Sequence, residues 1–101
     1  MARVRVARAS DVPAGEGRVI DVGAKTLALF NVGGAYYALD NGCPHRGGPL
    51  GDGDLDRTVV ICPWHGWRWD VTTGANANNP AVKVACFNTS VVDGEVYVEL
   101  P

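Results

Sequence analysis

The chain has 101 residues, which is long enough for one domain with a modest core but short for an enzyme with its own substrate pocket. Its formal net charge is −2 and it has no basic stripe, which argues against nucleic-acid binding. Apolar residues make up 47% of the chain, yet no run is long enough to cross a bilayer, so no membrane association is expected.

The first part of the chain is predicted to form strands, because apolar residues recur there with a period of two. Residues 11–17, which include a proline and two glycines, are predicted to be a loop. Gly33 and Gly34 separate two apolar runs and can supply the positive φ angles of a tight hairpin turn. The predicted strands are 3–7, 18–22, 26–32 and 35–40.

The second part of the chain continues the same pattern, with Asp93-Gly94 as a second hairpin turn. Segment 67–71 is expected to be the antiparallel partner of 58–62. Asp52, Asp54 and Asp56 are predicted to lie in a solvated turn, the alternative being part of a docking face for a positively charged partner. The predicted strands are 58–62, 67–71, 82–87, 89–92 and 95–100. The predicted fold class is therefore all-β.

Both histidines of the chain lie close to a cysteine. Cys43 is two residues before His45, Cys62 is three residues before His65, and glycines follow each pair. Thiolate sulfur and imidazole nitrogen are the ligands that transition metals take. Two such pairs in loops predict a metal centre built from these four side chains, and zinc and an iron–sulfur cluster both fit the ligand types.

The residues around the pairs, CPHRGGPL at 43–50 and CPWHGW at 62–67, resemble the Rieske motif. In that family one iron of a 2Fe–2S cluster is held by two thiolates and the other by two imidazoles. The resemblance implies that Cys43 and Cys62 bind one iron and that the two histidines bind the other. A structural zinc module for protein interaction remains an alternative, although zinc-finger spacing usually groups the cysteines in one knuckle.

The same resemblance covers the whole chain and implies its architecture. One Rieske domain would span 1–101, with an antiparallel β-barrel or sandwich base from about 1–40 and 71–101. A cluster-binding lobe at about 41–70 would be inserted into that base.

The sequence also predicts the surroundings of four side chains near or beyond the lobe. Cys86 lies in an apolar run and is predicted to be a buried core residue rather than a redox thiol. At least two of the three tryptophans, at 64, 67 and 69, are expected to cover the small core of the lobe. Trp64 lies between the two ligands of the second loop and is the candidate for an exposed docking contact.

The small size and the motif together resemble the Rieske ferredoxins of aromatic-ring-hydroxylating dioxygenase systems. Such a protein is not an enzyme; it carries single electrons from a flavin-dependent NAD(P)H reductase to a terminal Rieske oxygenase in aromatic hydrocarbon catabolism. Segment 38–50 also looks like the Rieske-like small subunit of NAD(P)H-dependent nitrite reductases. No nucleophile–base pair is recognised, so no catalytic residue is predicted. The N-terminus lacks the apolar segment of an export signal, and a cytoplasmic location is expected.

A redox titration is expected to give a midpoint nearer to about −150 mV than to about +300 mV. High-potential members of the family carry a disulfide between the ligand loops, but this chain has Arg46 and Trp64 at those positions. They also place serine and tyrosine hydroxyls where this chain has Trp67 and Trp69, so fewer hydroxyl donors are available to stabilise the reduced cluster. A midpoint above roughly +100 mV would refute this prediction.

Overall fold

The computed structural model describes residues 2–42, 48–64 and 66–100. Within these residues the chain forms strands and two short 3-10 helices, at Ala9–Asp11 and Leu50–Asp52, and no α-helix. None of the described helices has the length and apolar character that crossing a membrane requires. The predicted all-β class is confirmed. The strands are β1 (Ala2–Arg8), β2 (Gly17–Val22), β3 (Lys25–Val32), β4 (Ala35–Asp40), β5 (Asp54–Asp56), β6 (Val59–Ile61), β7 (Arg68–Asp70), β8 (Cys86–Phe87), β9 (Thr89–Val92) and β10 (Glu95–Leu100).

The strands form three antiparallel sheets. The first has the order β1-β10-β9, so the two ends of the chain share a sheet. The second has the order β2-β3-β4-β8, and the third has the order β5-β6-β7. All strands of the third sheet come from the segment between β4 and β8.

Two hairpins follow the sequence prediction closely. Gly33 and Gly34, with φ of 59° and 96°, join β3 to β4. Asp93 and Gly94, with φ of 52° and 76°, join β9 to β10. The expected pairing of the segments at 58–62 and 67–71 is also present, although the strands β6 and β7 are each shorter than predicted.

The predicted strand at 82–87 is wrong, because only β8 at its end belongs to a sheet. The preceding residues bond instead to the turn at 74–76. The amide of Asn76 donates to the carbonyl of Val82 at 2.8 Å, and the amide of Val84 donates to the carbonyl of Gly74 at 2.8 Å. An apolar run indicates burial or pairing, but it does not identify which segment supplies the partner.

The preferred prediction of a solvated turn for the acidic run is wrong for two of its three aspartates. Asp54 and Asp56 lie in β5 and are exposed, whereas Leu55 between them packs against the hydrophobic core. This alternation is the period-two pattern of a strand with one solvated face. Asp52 lies in the 3-10 helix that precedes β5.

β3 is the central strand of the core because both of its faces are covered. Residues 27 to 30 are each at most 1% exposed. Since successive side chains of a strand point to opposite faces, Ala28 and Phe30 join one cluster while Leu27 and Leu29 join another. The first cluster includes buried residues of the third sheet, and the second includes buried residues of the first sheet.

A buried polar network ties the loop between β1 and β2 to the β3–β4 hairpin. Asn31 is 6% exposed, and its Nδ2 donates to the carbonyl of Val12 at 2.8 Å and to the Oη of Tyr36 at 3.2 Å. Its Oδ1 accepts the amide of Gly34 at 2.8 Å. The Tyr36 hydroxyl donates to the carbonyl of Ala9 at 2.8 Å. The network therefore satisfies backbone groups that the loop buries.

Asn31→Ala is expected to lower the free energy of unfolding by about 2 kcal/mol, because it leaves buried backbone groups without a partner. Chemical denaturation of the metal-loaded protein measures this loss. Asn88→Ala serves as the control: its side chain is exposed, its one bond to Glu99 is 3.4 Å long, and the change is expected to stay within about 0.5 kcal/mol. Equal losses of unfolding free energy in the two variants would show that the buried network stabilises the fold no more than an exposed side chain does.

Candidate metal centre

The second predicted ligand loop is the tip of the β6–β7 hairpin. The amide of Cys62 donates to the carbonyl of Trp67 at 2.7 Å, which continues the ladder one pair beyond the strands. The amide of Gly66 donates to the carbonyl of Cys62 at 3.2 Å, and Gly66 has a φ of 71°, a conformation that favours glycine. These bonds hold the loop in a tight turn with Cys62 at its start.

The first predicted ligand loop is closed at its base. Gly42 and Pro49 form an isolated antiparallel bridge. The backbone carbonyl of Asn41 accepts the amide of Leu50 at 2.9 Å, and its side-chain Oδ1 accepts the amide of Gly51 at 2.8 Å. The segment between 42 and 49 therefore leaves and returns to the body of the protein at one point.

Of the four predicted ligands, Cys43, His45 and His65 lie outside the described residues. Cys62 is described, and it is 1% exposed in the hydrophobic cluster that also holds Val60. The structure thus locates one ligand candidate and the ends of both loops. Among the described residues there is no other group of three or more His, Cys, Asp or Glu side chains arranged to hold a metal.

The two loops approach each other closely at Gly48. A Cβ atom on Gly48 would lie 2.8 Å from the Sγ of Cys62 and 3.0 Å from the Cβ of Trp64. Real Cβ atoms do not come this near to other atoms, so only glycine fits at position 48 without a shift. Glycine at position 48 thereby lets the backbone of the first loop lie directly against the Cys62 side chain.

The three tryptophans of this region differ in exposure. Trp69 is fully buried, Trp67 is 37% exposed and Trp64 is 50% exposed. The rings of Trp67 and Trp69 stack with their centroids 6.3 Å apart and their planes 29° from parallel. The expectation that at least two tryptophans cover the lobe's core is therefore not met: only Trp69 is buried, and Trp67 stacks on it at the surface.

Cys86 is exposed, so the prediction of a buried core residue is wrong. Its strand, β8, is the edge of the second sheet, and the core position nearby is taken by Val84, which is 6% exposed. Partial burial nevertheless raises the pKa of the Cys86 thiol, which therefore keeps its proton at neutral pH. No signal in the sequence distinguishes the inward from the outward residue in this irregular segment.

The family model for the Rieske [2Fe-2S] domain matches residues 2–88. The chain belongs to the Rieske [2Fe-2S] family. A member of this family binds a Rieske 2Fe–2S cluster, so the metal is iron and not the structural zinc considered above. The apolar, closely packed surroundings of Cys62 fit that cofactor.

Two curated relatives match the chain over nearly its full length. It is similar to ferredoxin CarAc of Metapseudomonas resinovorans, with 40% identity over 97 residues that cover 94% of this chain and 91% of that protein. It is also similar to the 3-phenylpropionate/cinnamic acid dioxygenase ferredoxin subunit of Escherichia coli (strain K12), with 34% identity over 103 residues, 100% of this chain and 96% of that subunit.

Solved structures also match the chain over nearly its full length. A ferredoxin of Sphingomonas yanoikuyae B1 superposes with a TM-score of 0.90 at 30% identity, covering 99% of this chain and 100% of that one. A chain from the complex of reduced oxygenase and oxidised ferredoxin in carbazole 1,9a-dioxygenase superposes with a TM-score of 0.86 at 40% identity, covering 95% and 91%. A nitrite reductase (NADPH) small subunit shares the fold, with a TM-score of 0.83 at 17% identity.

Gly48→Ala is expected to reduce the iron content after reconstitution to roughly half of the wild-type value or less, because the new methyl group would displace the Cys62 sulfur. Iron and acid-labile sulfide per chain, together with the visible spectrum, measure the effect. Gly42→Ala is the matched control: it neighbours the same loop, but its Cβ would meet nothing nearer than 3.8 Å. Full cluster loading in Gly48→Ala would contradict the role given to this contact.

Proposed function

We propose that this chain is the ferredoxin component of a ring-hydroxylating dioxygenase system. It would carry single electrons from a flavin-dependent NAD(P)H reductase to a terminal Rieske oxygenase. The observation that carries the proposal is the 40% identity with ferredoxin CarAc, which extends over nearly the whole of both chains. A bound Rieske cluster supplies reversible uptake of one electron. A chain of 101 residues can bind the cluster but has little room for a substrate pocket as well.

The proposed ligands are the thiolates of Cys43 and Cys62 on one iron and the imidazoles of His45 and His65 on the other. The burial of Cys62, the closure of both loops at their bases and the close approach at Gly48 support this set. The division into a base at about 1–40 and 71–101 and a lobe at about 41–70 is also part of the proposal. It is supported by the third sheet, whose strands all lie between 54 and 70.

Exposed apolar side chains on the second loop, together with a cleft that Trp67 lines, would be a suitable contact for the oxygenase. Trp64 and Trp67 are exposed on the loop itself, and Val82 is 36% exposed. Trp67 and Val82 line a cleft of about 210 Å³ with three asparagines, at 76, 78 and 79. We call Trp64, Trp67, Val82 and this cleft the tip face. Large exposed apolar side chains of this kind mark interaction surfaces.

Docking at the tip face would shorten the path of the electron, because Trp64 lies between two of the proposed ligands in the sequence. The tip face would bring the acceptor close to the cluster without requiring a conformational change in the base. A reductase that draws on the cytoplasmic NAD(P)H pool would place this chain in the cytoplasm.

The test is direct electron transfer from the reconstituted, chemically reduced chain to two acceptors in stopped-flow. We expect rapid reduction of the terminal oxygenase of a carbazole 1,9a-dioxygenase system, whose ferredoxin is the 40% identical neighbour. A sirohaem nitrite reductase large subunit is expected to be reduced far more slowly. The reverse preference would overturn the proposal in favour of a nitrite reductase subunit.

A variant pair in the same experiment tests the tip face. Trp64→Ala is expected to lower the second-order rate constant for reduction of the oxygenase about tenfold, with an unchanged midpoint potential. Val91→Ala is the control, since Val91 is 48% exposed on β9 in a different sheet, and its rate constant is expected to stay at the wild-type value. Equal rate constants for the two variants would rule out Trp64 as a docking contact.

A further inference from the structure

Among the buried side-chain nitrogen and oxygen atoms of the described residues, one has no hydrogen-bond partner: the indole Nε1 of Trp69. The Trp69 side chain is fully buried. Burying a donor without an acceptor is unfavourable, so native proteins pair almost all buried donors with protein groups, water or bound groups. None of the described residues provides an acceptor for the Trp69 N–H, which indicates that the acceptor belongs to a bound group.

The strand register places Trp69 next to Cys62. Trp69 pairs with Val60 across β6 and β7, and the bond from the Cys62 amide to the Trp67 carbonyl continues that register. Cys62 is two residues beyond Val60, so its side chain lies on the same face of the hairpin as that of Trp69. Diagonal neighbours of this kind lie about 7–8 Å apart, within reach of an aromatic side chain.

Burial supports the same neighbourhood. Trp69 and Cys62 belong to one hydrophobic cluster, with exposures of 0% and 1%. The cluster also contains Val60, Val71 and Leu50, whose side chains are apolar and offer no acceptor. The acceptor that would complete this environment is the sulfur of a metal centre held at Cys62.

We propose that the indole N–H of Trp69 donates a hydrogen bond to a sulfur of the bound cluster, either the Cys62 thiolate or a bridging sulfide. This inference rests on the proposed ligand set and deepens it. Reduction adds one negative charge to the centre, and a donor aimed at sulfur stabilises that charge in an apolar surrounding. Trp69 would thus raise the midpoint potential without touching iron.

The proposal refines the expectation of a low midpoint drawn from the sequence. Trp69 stands where high-potential relatives were expected to have a tyrosine hydroxyl, so an indole donor replaces that hydroxyl donor. The other expected differences, at Arg46, Trp64 and Trp67, still favour the low end of the Rieske range.

The experiment compares Trp69→Phe with wild type and with Phe30→Leu by redox titration of the reconstituted proteins. Trp69→Phe keeps an aromatic ring and removes the donor. The ratio of reduced to oxidised protein at a fixed applied potential is expected to fall about tenfold, which is ~59 mV for one electron. Phe30→Leu trims a fully buried ring of the same cluster and removes no donor, so its midpoint is expected to match wild type.

A second measurement uses wild-type protein with ¹⁵N-labelled indoles, so it does not depend on the folding of Trp69→Phe. In the reduced paramagnetic state, one exchangeable indole proton is expected to show strong hyperfine coupling to the cluster. Trp64→Phe and Trp67→Phe assign it by elimination. Resonance Raman spectra of samples reconstituted with ³⁴S-sulfide then tell whether loss of the donor shifts bridging-sulfide modes or the iron–thiolate mode.

The outcomes separate a failure of this inference from a failure of the proposed ligand set. An unchanged midpoint in Trp69→Phe, an equal fall in Phe30→Leu, or the absence of a coupled indole proton from residue 69 overturns the inference while leaving the ferredoxin proposal intact. A wild-type protein that takes up no iron and sulfide would instead overturn the proposed ligand set, and this inference with it.

Discussion

The approach of Gly48 to the sulfur of Cys62 is the contact on which the proposed metal site depends. It joins two loops that are distant in sequence and anchored independently. The first loop is closed by the Gly42–Pro49 bridge and by Asn41, and the second is closed by the bond between Cys62 and Trp67. Because both anchors are hydrogen bonds at the loop bases, the relative position of those bases is fixed by the sheets beneath them.

The one proposed ligand that the structure describes, Cys62, is part of the hydrophobic core. Cys62 and Trp69 share one hydrophobic cluster with Ala28 and Phe30 of the central strand β3. A ligand that is held by packed side chains, as Cys62 is, changes little in position when the charge of the centre changes, which favours fast electron transfer. The burial that fixes the site also excludes water, so the remaining polar donors near sulfur gain influence over the potential.

The three tryptophans form a gradient from the interior to the surface. Trp69 is enclosed, Trp67 stacks on it at the boundary, and Trp64 stands half in solvent. We assign the innermost one to tuning and the outermost one to partner contact. A single short hairpin would thus carry a proposed ligand, a donor to sulfur and a docking residue, which explains how so small a domain can serve as a shuttle.

The sequence predicted the tight hairpin turns correctly but not the irregular segment at 82–87 or the short strand at Asp54–Asp56. The hairpins at Gly33-Gly34 and Asp93-Gly94 were predictable because their turn residues meet a local conformational requirement. The predictions at 82–87 and at Cys86 failed because the chain there bonds to the turn at 74–76 instead of forming a continuous strand. The prediction at Asp54–Asp56 failed because a short strand is present there, in which the exposed aspartates alternate with one leucine. In each case the deciding partner lies elsewhere in the chain.

The sequence by itself determined the all-β class, the principal hairpins and the four proposed ligands, since turn chemistry and ligand type are properties of individual residues and their spacing. Only the tertiary structure decided that Gly48 abuts Cys62, that Trp69 is buried with its N–H unpaired, and that Trp64 faces solvent. These features depend on how the two loops and the β6–β7 hairpin pack against each other and against the central strand β3, which no local pattern encodes.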